Sequence, residues 1–258
     1  MKVLFIANSF GQDCSRYLYD IARSDGKKWK VVNLYIGGCS LYRHYRNMLS
    51  GEKAYEFEMN GHVKSGIFVS LTEALLSDEW DVVITQQCSP KSGDEESYEP
   101  FATAIAEFVR IHAPKAKFYV MQTWTFETDA PRFKMTSFTN PDDMIVAIKD
   151  CYDKMAKNTR AWGIIPNGEA MYTLWQRRAD YGIEAVHRDG FHANLGVGRY
   201  LLGLTAYATL SGRDISANSF CDFDVEVSDD AARAAREVAA EVVEKYRAIN
   251  TELAKEAL

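Results

Sequence analysis

Short apolar runs rich in β-branched residues alternate along this chain with stretches of helical periodicity. Lys2–Ile6, Lys30–Tyr35, Trp80–Thr85, Lys117–Gln122 and Gly163–Pro166 each read as a strand. Their centres, such as Val82-Val83-Ile84, are continuously apolar, which suits strands covered on both faces in a parallel sheet. Between them, Phe101, Ile105, Phe108 and Ile111 recur at helical spacing, as do Met144, Ile148, Cys151 and Met155. Toward the end, Ala231, Ala235, Val238, Val242 and Tyr246 form one stripe, with Arg236, Glu237, Glu241 and Glu244 opposite it. This alternation implies right-handed crossovers and a three-layer α/β/α sandwich. Its predicted centre is a mainly parallel five-stranded sheet of flavodoxin-like architecture.

Two stretches break the alternation. Gly51–Gly66 mixes Tyr55, Phe57 and Met59 with polar residues and reads as a small hairpin or excursion. Thr123–Asp142 is a long irregular connection rich in Trp, Phe and Thr, of the kind that often serves function in compact domains. Both fall where a substrate lid could form. No internal repeat or low-complexity linker is present, and 258 residues suit one domain, 1–258, with a well-buried core.

Composition narrows the partners. A formal net charge of -6 argues against nucleic acid or an anionic membrane surface, and the cluster Lys27, Lys28 and Lys30 reads as a solvated turn. No apolar stretch approaches the roughly 18 residues of a membrane span. After Met1 and Lys2 only Val3–Ala7 is apolar before Asn8, shorter than the about 7–15 residues of a signal-peptide core. As given, the chain is expected to be cytoplasmic, or exported if a leader has been removed. The five cysteines are scattered without a CxxC, which suits free buried thiols.

Candidate chemistry sits at two places. The first strand ends in Asn8-Ser9-Phe10-Gly11-Gln12-Asp13, with a helix expected from about Asp13. Ser9 then lies at the carboxyl end of a strand, where open α/β sheets bind ligands, and a helix N-terminus directs positive partial charge there. Such a serine can attack a carbonyl while its own N–H supports the oxyanion; a plain turn or capping serine is the alternative. The second place is Arg188-Asp189-Gly190-Phe191-His192-Ala193-Asn194, before a helix Leu195–Leu210 that Asn194 is placed to cap. Asp and His three apart in a loop can meet, the carboxylate orienting the imidazole that faces a nucleophile. A surface Asp–His pair is the alternative.

Together these blocks resemble the SGNH, or GDSL-like, hydrolases. The family's opening Gly-Asp-Ser is similar to Ala7-Asn8-Ser9, its second-block glycine to Gly38 in Gly37-Gly38-Cys39-Ser40-Leu41, and its closing Asp-x-x-His to Asp189 and His192. The third block, Gly-x-Asn-Asp, is replaced by Thr85-Gln86-Gln87-Cys88-Ser89. Related sugar acetylesterases carry a Gln-Gly-Glu motif near this place. By that similarity Gln87 takes the oxyanion role, with Gln86 as rival, beside the Ser9 and Gly38 N–H groups. The resemblance covers residues 1 to roughly 212, with a C-terminal helix after it, and is strongest to a subfamily known as a domain of unknown function. It implies an ester hydrolase acting through Ser9, Asp189 and His192 without a cofactor, with carbohydrate O-acetyl esters or other small esters as substrates.

Trp124 is placed to stack on a sugar ring, with core packing as the competing role, and Glu169 to border the pocket or charge a helix. His44, His62, His112 and His187 form no HxH or HExxH pattern, so no metal is expected. Cys39 and Cys88 flank the oxyanion candidates but lack the helix-start setting of a reactive thiol. The competing classes are a non-catalytic carbohydrate-binding domain and a flavodoxin-like module cradling a phosphate or flavin at Asn8–Ser15.

Overall fold

A computed structural model describes all 258 residues. In chain order the elements are β1 (Lys2–Ala7), α1 (Ser9–Ser24), β2 (Lys30–Tyr35), α2 (Leu41–Ser50), β3 (Tyr55–Met59), β4 (Phe68–Val69), α3 (Leu71–Leu76) and β5 (Val82–Thr85). There follow α4 (Phe101–His112), β6 (Lys117–Met121), α5 (Pro141–Asn158), β7 (Gly163–Ile165), α6 (Asn167–Arg177), α7 (Val197–Ser211) and α8 (Asp229–Ala257). No helix is long and apolar enough to cross a membrane.

The sheet has seven strands in the order β4-β3-β2-β1-β5-β6-β7. The five expected strands are its parallel part, β2, β1, β5, β6 and β7. The expectation of five is corrected by β3 and β4, an antiparallel pair added to the edge of β2. Tyr55 buries on the core side of β3 while Phe68 and Ile67 remain exposed. A half-exposed edge lacks the continuous apolar run that marks the central strands.

Helices cover the sheet. α7 packs against both α1 and α8, and α2, α3 and α4 pack against one another. α7 approaches α1 so closely at Gly203 that an added Cβ would lie 2.7 Å from Ile21 Cδ1. The expected stripes of α5 and α8 are buried, whereas in α4 the buried face is shifted to Ala102, Ile105, Ala106 and Val109, leaving Ile111 exposed. The core is one contiguous cluster running from Val3 in β1 to Leu253 in α8.

The order β2-β1-β5-β6-β7 reverses direction at β1. Strands on either side of such a reversal leave a crevice beyond their carboxyl ends. The segments after β1, β2 and β5 all open there, and they carry Ser9, Gly38 and the Gln86-Gln87 pair.

Candidate active site

Helix α1 starts at Ser9, four residues earlier than Asp13, because Asn8 caps it: the Asn8 Oδ1 accepts the Phe10 N–H at 2.9 Å. Asn8 also binds the neighbouring segments, donating through Nδ2 to the Cys39 carbonyl at 2.9 Å and accepting Gln86 Nε2 at 2.8 Å. A buried amide that donates and accepts thus clamps the ends of β1, β2 and β5 together. An aspartate could not donate to the Cys39 carbonyl.

The loop after α6 brings in the remaining groups. His187 and Ala193 form an antiparallel bridge, and Arg188 N–H donates to the His192 carbonyl at 3.0 Å. Gly190 turns the loop at φ +80°, a left-handed conformation that glycine adopts without strain. Asp189 Oδ1 accepts the His192 N–H at 2.8 Å and the Phe191 N–H at 3.3 Å, which leaves Oδ2 for the ring. His192 Nδ1 lies 2.7 Å from Asp189 Oδ2, and His192 Nε2 lies 2.9 Å from Ser9 Oγ.

Burial alone would raise the Asp189 carboxyl, but hydrogen bonds from the His192 ring and the two N–H groups outweigh it and hold it below the usual range. An ionised carboxylate only accepts, so Nδ1 carries the ring proton and Nε2 is free to accept from the Ser9 hydroxyl. Ser9, His192 and Asp189 therefore form a continuous hydrogen-bonded chain able to activate the Ser9 oxygen.

Below this chain the loop is anchored to α1. Asp13 is fully buried and accepts Arg188 Nη1, Arg199 Nε and the Ala193 N–H at 2.9, 2.9 and 3.2 Å. Arg188 also donates to the Ala193 carbonyl. His187, buried behind the loop, has Nδ1 3.3 Å from Glu127 but off the line that a hydrogen bond needs.

Ser9 opens onto a cavity of about 690 Å³ lined in part by Gly38, Ser89, Lys91, Arg132 and His192. The Ser9 and Gly38 N–H groups donate to no acceptor within the protein. Gly38 has φ +61°, and an added Cβ would meet nothing within 4 Å. Within the free protein, backbone conformation rather than crowding requires glycine there.

The structure places Gln87 elsewhere. Its residue is fully buried; Oε1 accepts the Leu41 N–H at 3.0 Å and the Cys88 N–H at 2.9 Å, and Nε2 donates to the Ser97 carbonyl and hydroxyl, each at 2.9 Å. Both donors and both acceptor sites are used, so no N–H remains for an oxyanion. Gln86 is equally buried and committed to Asn8. Beyond them, Ser89 reaches the cavity, and neither its N–H nor its hydroxyl has a protein partner. The short helical turn begun by Ser89-Pro90 was the available sequence signal for this placement.

This assigns Gln87 to holding α2 and the Cys88–Ser97 loop together. Gln87→Ala would leave two buried N–H groups unpaired at about 1–3 kcal/mol each. Urea unfolding of the variant should show a loss of about 2–6 kcal/mol. An unchanged unfolding midpoint with a hundredfold lower rate would instead return the oxyanion role to Gln87.

Trp124 and Glu169 are also corrected. Trp124 is fully buried, stacks on Phe10 with ring centroids 4.0 Å apart, and donates from Nε1 to the Phe191 carbonyl at 2.7 Å. It supports the start of α1 and the His192 loop from below and offers no face to a sugar. Glu169 lies in the first turn of α6, away from the cavity, ion-paired with Lys149 at 2.5 Å and Lys245 at 3.8 Å. The thiol alternative also finds no support. Cys39 Sγ lies 3.5 Å from His44 Nδ1, but burial pushes Cys39 up to about 12 and His44 down to about 3, so both stay neutral.

The fold is that of the SGNH hydrolases. A structure of a DUF4886 family protein from Bacteroides uniformis ATCC 8492 is 29% identical, covers 95% of each chain and superposes with a TM-score of 0.85. A Slackia heliotrinireducens protein assigned to the SGNH hydrolases is 18% identical over 81% of this chain and 98% of its own, with a TM-score of 0.56. An acetyl xylan esterase is 15% identical over 81% and 100%, also with a TM-score of 0.56. No functionally curated protein matches the sequence. The matching family model spans residues 2–242, past the expected limit near residue 212 and well into α8, and the chain belongs to the family described as Domain of unknown function (DUF4886).

Proposed function

We propose that this protein is a serine esterase acting through an acyl-enzyme on Ser9, with carbohydrate O-acetyl esters as its substrate class. The observation that carries the reading is the hydrogen-bonded chain from Ser9 Oγ through His192 to the ionised Asp189, opening on a cavity. Ser9 Oγ attacks the ester carbonyl carbon as His192 Nε2 takes the hydroxyl proton. The negative oxygen that forms is met by the free N–H groups of Ser9 and Gly38, with Ser89 as the third donor in place of Gln87. Collapse breaks the bond to the alcohol, which leaves with the proton from His192. Water then attacks the acyl-enzyme, gives its proton to His192, and releases the acid as Ser9 recovers its hydrogen.

Fold likeness to an acetyl xylan esterase supports the acetyl and carbohydrate parts of the reading. The serine chemistry stands on the local geometry. Incubation with a fluorophosphonate probe, followed by peptide mapping, tests it directly. The label should fall on Ser9 alone; no labelling, or labelling of another serine, would sink the proposal.

A further inference from the structure

On a chain with net charge -6, the cavity beside Ser9 is lined by Lys91, Arg132 and Arg188 and by no aspartate or glutamate. Arg188 is bound to the buried Asp13. Beneath the cavity, however, Arg16, Arg188 and Arg199 share only Asp13 and Asp224, which leaves one positive charge in excess. Lys91 has no ion-pair partner. Arg132 has none either: its guanidinium lies 4.0 Å from the centroid of the Phe191 ring, and its one hydrogen-bond partner is Met135 Sδ, at 3.9 Å.

The surrounding carboxylates do not cancel this charge inside the cavity. Glu58 sits behind Gln12 and does not line the cavity; its two oxygens accept the Gln12 and Asn33 amides at 2.6 and 2.8 Å. Glu95 is paired with Lys154, Asp189 is turned to the far side of His192, and Asp129 faces a separate depression. Asp94 and Glu96 follow Lys91 in the chain but do not line the cavity.

The two free cations share a wall. Lys91 ends the helical turn Ser89–Lys91, Arg132 lies in the turn Pro131–Met135, and these turns pack together. The Phe191 ring carrying Arg132 lies 3.9 Å from the His192 ring, centroid to centroid. His192 must protonate the departing alcohol, so the alcohol occupies this side of the cavity. An unpaired guanidinium next to a low-dielectric aromatic wall attracts an anion more strongly than one in open water.

We infer that the esters this site selects carry an anionic group on the alcohol, a carboxylate or sulfate held by Arg132 and Lys91. The inference rests on the esterase reading and names the substrate class within it.

The test uses three aryl acetates, phenyl acetate, 3-carboxyphenyl acetate and 3-sulfophenyl acetate, each corrected for its own hydroxide-catalysed rate. At low ionic strength the ratio of kcat/KM, anionic over neutral, should be about tenfold or more, carried mainly by KM. It should fall toward one in 0.5 M NaCl, because salt screens an exposed anion–cation contact. It should also fall toward one in the double variant Lys91→Gln, Arg132→Gln. Comparison of the two anions shows whether a carboxylate or a sulfonate, standing in for sulfate, is preferred. A ratio near or below one in the unaltered protein overturns the inference, as does a preference that survives the double substitution. Hydrolysis of phenyl acetate in those cases would leave the esterase reading intact. Failure to hydrolyse any of the three, with no fluorophosphonate label on Ser9, would overturn both.

Discussion

Ser9→Ala should lower kcat for an aryl acetate by about 10⁶-fold, the scale seen when a triad nucleophile is removed from a serine hydrolase. In the proposed mechanism the variant loses the group that forms the acyl-enzyme but keeps the main-chain N–H groups of residues 9 and 38. A residual acceleration over the buffer reaction is therefore expected from oxyanion binding alone. Stability should scarcely change. Ser9 is half-buried and its hydroxyl bonds only to His192, while Asn8 continues to cap α1. Steady-state kinetics together with urea unfolding check both halves. Substantial activity in a well-folded Ser9→Ala protein would remove the nucleophile from the mechanism.

Asp189→Asn should lower kcat/KM by up to about 10⁴-fold, following the handling of the same substitution in a serine protease. The local geometry explains why the fold should survive it. The asparagine carbonyl can still accept the Phe191 and His192 N–H groups that Asp189 Oδ1 now accepts, so the loop keeps its turn. What changes is the atom facing the imidazole. An amide NH₂ there donates to Nδ1, forcing the ring proton onto Nε2, which can then no longer accept from Ser9.

The pH dependence carries its own sign. The Asp189 carboxyl lies below its usual range in the folded protein, so it remains charged through mildly acidic solution. Its contribution to folding is present above the unfolded carboxyl's titration and is lost as pH falls through the lower, folded one. In activity, Asp189 itself should therefore add no ionisation to the pH–rate profile of the native protein from about pH 5 upward, since the carboxylate is already charged there. A normal rate in the variant would show that Asp189 serves only the loop.

The candidate site divides along the same lines as the fold. The parallel strands were legible because a strand covered on both faces must be apolar throughout, as Val82-Val83-Ile84 is. The edge pair β3 and β4 was legible only as an excursion. The start of α1 was misplaced because Asn8 and Asp13 are both residues that cap helices well. Asn8 does so in the fold, while Asp13 is drawn inward by two arginines distant in the chain. Gln87 shows the limit most clearly. Successive residues leaving β5 point in different directions, and sequence alone did not show that the Leu41 and Cys88 N–H groups and Ser97 would use both ends of its amide.

By itself, then, the sequence determined the parallel strands, the place of Ser9 at the carboxyl end of the first of them and the Asp189–His192 loop, since each rests on neighbours in the chain. Periodicity, a short Asp-x-x-His spacing and a turn glycine act locally. The tertiary structure decided the meeting of Ser9 with His192 across 183 residues, the burial of Trp124 and the loss of Gln87 to the scaffold. It also decided the convergence of Lys91 and Arg132 on one wall. Hydrogen-bond capacity and charge are exhausted by whichever partner the fold brings within about 3 Å, and that partner is set by packing rather than by position in the chain.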